Sequence, residues 1–501
     1  MAQSTLFLVI SIATIVVSAE PTLKFPPGFK FGAATSAYQI EGAWNVSDKG
    51  ESIWDRFTHT LPDRVYNGHT GDIACDSYNQ WKKDVQIAAE LGLHHYRFSI
   101  SWTRLLPSGT PNHICEDGIK YYNDLIDGLL EKGIEPMVTI YHWDLPQRLQ
   151  DLGGWCNPLI TDWFADFARI VFSIYADRVK WWITINEPLI ICDFPFNTGQ
   201  MAPGIIDPQI GSYLCTKHTL LAHAKAWRIY DEEFRPKFHG KVSIANQLLA
   251  YEETSPGDRE PVELISQLST GIYSHAIYSK EGGWPPIIEK LFAEKSKTKG
   301  YPRSRLPEFT KEEIELVRGT YDYYALNYYT ARVVRFARPG EEAGPWPVFG
   351  SPELNIVANV LPEWKTTVAD IFFIYPPGLR HLLSWLKKNY GDIQMFITEN
   401  GYPSNGDEKL DDVERVQFTH DHLEQVLLSI NEDDVDVIGY TAWSLIDNFE
   451  WPEGYRVKFG LYEVNFEDPE RTRTKRKSAE YYQRVIEQHA LIPIKQPYDE
   501  L

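Results

Sequence analysis

Two segments about two hundred residues apart each carry an apolar run onto a glutamate: Trp181-Trp182-Ile183-Thr184-Ile185-Asn186-Glu187-Pro188 and Met395-Phe396-Ile397-Thr398-Glu399-Asn400-Gly401. A carboxylate at the tip of a buried strand costs several kcal/mol unless it is paired and hydrogen-bonded. One such residue has a bland explanation, such as the start of a helix at Asn186-Glu187-Pro188. Two suggest the paired carboxylates that cleave glycosidic bonds, one giving and taking a proton, the other attacking carbon or activating water.

The elements that would position them alternate along the chain. Ile119, Tyr122, Leu125, Ile126, Leu129 and Leu130 follow helical spacing, Lys132-Gly133 ends that helix, and Pro136 to Tyr141 follows as a strand. Ile160, Trp163, Phe164, Phe167, Val171 and Ile174 precede the strand Trp181 to Ile185, as Leu379, Leu382, Leu383 and Leu386 precede Met395 to Thr398. Further strands are expected at 31–36, 95–100, 242–246, 323–327 and 437–443. Eight strands with helices between them predict an α/β chain forming a single (β/α)8 TIM barrel. A doubly wound sheet is the competing arrangement, but no glycine-rich phosphate loop follows any strand.

In a barrel the C-terminal ends of the strands share one mouth. Those ends bring Gln39, Arg97, His142, Asn186, Glu187, Asn327, Tyr329, Glu399 and Trp443 together, with Glu450 and Trp451 in the loop beyond. Amides and carboxylates bind neighbouring hydroxyls, and indoles pack on the C–H face of a sugar ring. Singly, His142 reads as a core histidine, Arg97 as a structural partner of a carboxylate, and Trp143, Trp182 and Trp385 as packing. Structural roles at every strand end at once are a poorer account. No cofactor is called for, and the 14 His show no metal-ligand spacing.

The net charge of −20 opposes polyanions, so no nucleic-acid partner is expected. The one basic run, Arg471 to Lys477, reads as a solvated loop. Residues 1–19 read as a secretory signal peptide, with an apolar stretch from Leu6 to Val17 and small residues before Glu20. That stretch is shorter than the roughly 20 residues a membrane span needs, and no later one qualifies. A secreted product of residues 20–501 is expected, outside any membrane, as a monomer or homodimer. The last four residues, Tyr498 to Leu501, look like an endoplasmic-reticulum retention signal without its usual first residue. Asn45-Val46-Ser47 is the one glycosylation sequon, and five cysteines leave at least one unpaired.

These motifs resemble glycoside hydrolase family 1. Thr184 to Pro188 and Ile397 to Gly401 look like its paired catalytic signatures, and Phe31 to Gly42 like its N-terminal one. Tyr141 to Pro146 and Ala442 to Trp451 match as well, so the resemblance runs from about Phe25 to Tyr482. In overall style the chain is most similar to secreted insect members, both β-glucosidases and myrosinases.

The resemblance implies one catalytic domain and a retaining β-glucosidase acting on a small β-glucoside or oligosaccharide. Glu187 would be the acid/base and Glu399 the nucleophile, about 5–5.5 Å apart. Arg97 and Tyr329 would hold Glu399 ionised, and Asn186 would bind the sugar 2-hydroxyl with Asn327 beside it. Gln39, His142, Glu450 and Trp451 would bind the other hydroxyls over Trp443, and Glu450 would repel a 6-phosphate. Plant thioglucosidases of the family carry glutamine at the acid, so Glu187 favours O-glycosides, although insect thioglucosidases keep both glutamates. Arg332 matches an arginine that binds the glucosinolate sulfate in those insect enzymes, whereas Asp193 replaces its companion lysine. A myrosinase is therefore the alternative, and an inactive sugar-binding relative a further one. Ile371-Phe372-Phe373 and Phe194 to Thr198 depart from the pattern where the aglycone enters.

Overall fold

Eight parallel strands form a closed ring in the computed structural model, which describes residues 23–494. They are β1 (Lys30–Ala34), β2 (His95–Ser99), β3 (Glu135–Tyr141), β4 (Trp181–Asn186), β5 (Lys241–Glu253), β6 (Tyr324–Phe336), β7 (Met395–Asn400) and β8 (Val437–Trp443). Each pairs with the next, and β8 closes on β1 with Gly32 opposite Thr441. This is the predicted barrel. The expected leader at 1–19 and the tetrapeptide at 498–501 lie outside the described residues.

The interior is packed rather than hollow. Met137, Ile183, Ala245, Tyr323, Ala325 and Phe396 form an inner apolar cluster beneath the mouth. His95 lies inside as well, its Nε2 2.9 Å from the Thr441 hydroxyl and its ring edge-on to Phe396. A Cβ on Gly32 would come within 2.2 Å of that imidazole, so only glycine fits there.

The outer helices bury the faces their spacing announces. The helix Ile160–Tyr175 sinks Ile160, Phe164, Phe167, Val171 and Phe172 against the barrel, each contributing about 1.5–3 kcal/mol of hydrophobic burial. Phe167 stacks on Trp102 with ring centroids 4.6 Å apart. In the helix Glu116–Glu131, Tyr121 takes an inner position and Leu130 is exposed, so its buried stripe is rotated from the one expected. Gly133, at φ +73°, lets the chain turn into β3.

Two expectations need correction. Strands β5 and β6 do not stop at the barrel rim. They stay paired from Ala245 opposite Ala325 to Glu253 opposite Val334, and Ile356–Asn359 pairs antiparallel with the end of β6. That added strand satisfies backbone groups a projecting edge would leave open.

The basic run is not a solvated loop. Arg473–Lys475 pairs with Tyr462–Val464, and the Arg473 guanidinium is buried on Asp84 at 3.0 Å. Arg476 makes a fork of 2.7 and 2.8 Å bonds to both oxygens of Asp447, with both side chains buried. Asp447 also accepts from the Gly460 N–H, which ties the loop after β8 to the C-terminal segment. The charge pattern alone concealed this because the acidic partners lie far off in sequence. Arg476→Ala leaves Asp447 buried without its cation and is expected to lose about 3–5 kcal/mol of stability. Denaturant unfolding measures it, and a loss under about 1 kcal/mol would show the pair to be dispensable.

Candidate active site

Both glutamates stand where a strand breaks its register. The β4–β5 pairing shifts between Ile183 and Asn186, and Glu187 follows with φ 53° and ψ 67°, its N–H donating to the Ala245 carbonyl at 2.7 Å. Pro188 then begins a helix. Strand β7 shifts against β6 between Ile397 and Glu399, and against β8 between Ile397 and Asn400. Such irregularities re-aim a side chain at the cost of local pairing. Gly401 completes the second turn, since a Cβ there would sit 1.9 Å from the Trp443 carbonyl oxygen.

Both carboxylates face one cavity of about 870 Å³ at the mouth. Glu399 is 3% exposed and Glu187 4%, so each depends on protein partners. Arg97 ion-pairs with Glu399 Oε1 and also donates to the Thr398 carbonyl at 3.0 Å. Its second amino group donates to Asn186 Oδ1 at 2.6 Å, and its Nε to the Thr139 hydroxyl at 3.1 Å. The Tyr329 hydroxyl donates to Glu399 Oε2 at 2.7 Å. On the other side Asn327 Nδ2 donates to Glu187 Oε1 at 2.7 Å, while Thr398 donates to Asn327 Oδ1 at 2.7 Å.

This environment separates the two carboxyls. Burial first, and then the nearby charge of Glu399, raise the Glu187 pKa well above the usual carboxylate range, with Asn327 and Arg97 pulling the other way. Burial and Glu399 likewise keep Tyr329 a phenol, fit to donate. Glu450 is pushed up to about 8 by burial and by Glu399. Burial, reinforced by Arg97, lowers His142 well below its usual value, so the imidazole is neutral.

The structure brings most of the predicted residues together. Glu187, Glu399, Tyr329, His142, Trp443, Glu450 and Trp451 line the cavity. Arg97, Asn186 and Asn327 lie directly behind, bonded to the glutamates or to each other. Gln39 is fully buried, its amide donating to Asn448 at 2.9 Å and to the Phe449 carbonyl at 2.8 Å, with Glu450 at 3.4 Å. His142 stacks with Trp443 and Trp451 at interplanar angles of 16° and 14°. The peptide bond after Trp443 is cis.

Arg332 differs from expectation. Its side chain belongs to the cavity wall, yet the guanidinium is buried and donates to the carbonyls of Val348, Ala331 and Ile371 at 3.2, 2.6 and 2.6 Å. Asp193 does not face the cavity as an open charge either. It accepts from Ser212 at 2.5 Å and Tyr273 at 3.1 Å, and burial raises it to about 6. The divergent segments do line the entrance, through Phe194, Thr198, Ile371 and Phe372.

Several participants were not singled out in sequence. Thr139 and Thr398 orient Arg97 and Asn327, and their only signal was a hydroxyl one or two residues from a strand tip. Trp143 is more than packing: it lines the cavity and donates from Nε1 to the Asn186 carbonyl at 3.0 Å. Gln247, on the extension of β5, also faces the cavity. Among the described residues no group of His, Cys, Asp and Glu could hold a metal ion.

A closed α/β barrel with two buried carboxyls of unlike surroundings at its mouth defines a glycosidase-type site. The profile described as Glycosyl hydrolase family 1 matches residues 22–491, and the chain belongs to that family of glycoside hydrolases. It is 47% identical over 467 residues to Myrosinase 1 of Brevicoryne brassicae, covering 92% of this chain and 98% of the relative. It is 39% identical over 472 residues to the human cytosolic beta-glucosidase, covering 94% and 99%. The solved structure of an aphid myrosinase superposes with a TM-score of 0.88 at 46% identity, covering 93% of this chain and 99% of that one.

Asn327 favours the ionised form of Glu187, so its removal shifts that group further upward. If Glu187 acts as the acid, it does so protonated, and kcat/KM declines as pH rises through its titration. Asn327→Ala is therefore expected to move the alkaline limb of the kcat/KM profile to higher pH. A limb that stays in place, or moves down, would contradict the arrangement.

Proposed function

We propose that the chain is a retaining β-glucosidase in which Glu187 is the acid/base and Glu399 the nucleophile. The observation that carries this reading is the unequal treatment of the two carboxyls. Glu399 receives a guanidinium and a phenol, as an anion requires, while Glu187 receives one amide N–H and is driven toward its neutral form. In the first step a Glu399 oxygen bonds to C1 as the C1–O bond breaks and Glu187 delivers its proton to the departing oxygen. With Glu399 now a neutral ester, the charge that added to burial in raising Glu187 is gone. Glu187 then takes a proton from water as that water attacks C1 and releases Glu399.

The remaining residues suit a hexopyranose. His142 Nε2 lies 3.2 Å from Asn186 Nδ2 and accepts from it, so the proton is on Nδ1, which has no protein partner and is free to donate to a hydroxyl. A Glu450 carboxyl that titrates near 8 can both donate to and accept from sugar hydroxyls at neutral pH. Asn186 and Gln39 position these groups, and Trp443 supplies the apolar floor.

Thioglucoside hydrolysis has the myrosinase relatives in its favour. Against it, Arg332 already spends its donors on carbonyls, so sulfate would have to displace them. Steady-state hydrolysis of an aryl β-glucoside, an aryl β-galactoside, cellobiose and a glucosinolate separates the readings. Preference for the glucosinolate would overturn the O-glycosidase assignment, and no turnover at all would leave a binding protein. Secretion is proposed from the leader-like segment, with support from the Cys192–Cys215 disulfide, which suits an oxidising compartment, and from the exposed sequon at Asn45.

The assignment of Glu187 has its own test. Glu187→Ala is expected to lose about 10²–10⁴-fold in kcat/KM on substrates with basic leaving groups, the usual worth of general acid–base catalysis. Dinitrophenyl β-glucoside, whose leaving group needs no proton, is expected to lose far less. An equal loss on both substrates would contradict the role of Glu187 as acid.

A further inference from the structure

His69 fastens the loop after β8 to the segment that follows the turn Tyr66–Gly68. Tyr66 and Asn67 line the cavity, while His69 itself does not. The His69 Nδ1 accepts from the Tyr455 backbone N–H at 3.1 Å. Tyr455 also donates from its hydroxyl to the Thr70 carbonyl at 2.7 Å, so one residue is tied twice to the same segment. The His69 and Tyr455 rings pack with centroids 5.1 Å apart.

What precedes Tyr455 gives the contact its weight. Glu450 and Trp451 open a tight turn, in which the Glu450 N–H donates to the Gly454 carbonyl at 2.6 Å and the Gly454 N–H to the Trp451 carbonyl at 3.1 Å. Gly454 adopts φ 56° and ψ −124°, a conformation left to glycine. A Cβ there would stand 2.4 Å from His69 Nδ1, so the imidazole rests directly on the backbone of the turn. At the near end the Phe449 N–H donates to the Gln39 carbonyl at 3.0 Å. The turn that presents Glu450 and Trp451 to the cavity is therefore held by Gln39 on one side and by His69 and Thr70 on the other.

A ring nitrogen accepts only while unprotonated, so the contact belongs to the neutral imidazole with its proton on Nε2. The titratable and charged groups around the ring are Tyr66, Tyr455, Arg456, which lies 5.3 Å over Tyr66 and pairs with Glu453, and Glu467. Asp72, further along the same segment, is taken up by His59 at 2.8 Å. Burial lowers the His69 pKa from its usual value, and Glu467 opposes that only in part. Once protonated, Nδ1 is a donor facing another donor, the Tyr455 N–H, and the bond is lost.

We propose that His69 is a positioning residue for the sugar-binding turn 450–454, acting through the Tyr455 N–H, and that its protonation releases that turn and lowers activity at acid pH. This rests on the β-glucosidase reading and adds to its acid limb a contribution separate from protonation of Glu399.

The test measures kcat/KM for phenyl β-glucoside across pH in the unaltered protein, His69→Phe and His69→Asn. Phenylalanine keeps a ring without an acceptor, and asparagine places Oδ1 where Nδ1 stood, an acceptor that does not protonate. At about pH 7.5, His69→Phe is expected to lose about threefold or more, and His69→Asn to stay within about twofold of the unaltered protein. Between about pH 7.5 and about pH 4, the ratio of His69→Asn to the unaltered protein is expected to rise about threefold or more, because only the histidine is switched off. Protonation of Glu399 affects both proteins alike and cancels from that ratio. A loss in His69→Phe under about twofold, His69→Asn as impaired as His69→Phe, or a ratio that rises less than about twofold would overturn the proposal. Turnover by the unaltered protein in the same assay keeps that failure distinct from failure of the β-glucosidase reading.

Discussion

One guanidinium holds the mouth of this barrel together. Arg97 meets Glu399, Asn186, Thr139 and the Thr398 carbonyl, so four of its donor contacts go to four different residues on three strands. Without it a carboxylate that is 3% exposed would have to give up its charge or its burial. Burial, and after it the charge of Glu399, raise Glu187, Glu450 and Tyr329.

The barrel serves this arrangement by bringing residues hundreds of positions apart to one rim. Arg97 and Glu399 are 302 residues apart in sequence, and Gln39 and Asn448 are 409 apart. The positive φ at Glu187 and the register shifts in β4 and β7 are local costs of pointing both carboxyls inward. The ring of paired strands and the apolar layer beneath it make those costs bearable. The buried Arg476–Asp447 pair steadies the loop after β8 that carries Glu450 and Trp451.

Much of this was legible in sequence. Apolar runs ending on Glu187 and Glu399, and helical spacing between them, announced both the ring and its mouth. What escaped has physical reasons. Arg473 and Arg476 looked solvated because a charge run does not reveal carboxylates elsewhere that neutralise it. The extensions of β5 and β6 escaped because they leave the barrel and gain their backbone partners from Ile356–Asn359. Arg332 matched a sulfate-binding position by spacing, but which carbonyls surround a guanidinium depends on loops whose shape spacing does not specify. Gln247 went unnoticed because nothing in its sequence surroundings shows that the extension of β5 lines the cavity.

The cavity also divides by chemistry. Around Glu187 and Glu399 its wall carries polar side chains and the Trp443 indole, while Phe194, Ile371, Phe372 and Val348 give it an apolar stretch. The central claim concerns the polar part: Glu399, held as an anion by Arg97 and Tyr329, forms the bond to C1. The most direct measurement is covalent trapping with a 2-deoxy-2-fluoro-β-glucoside carrying a good leaving group, followed by peptide mass spectrometry. The account predicts one fluorosugar attached to Glu399. Attachment at another residue, or steady turnover with no covalent species, would contradict it.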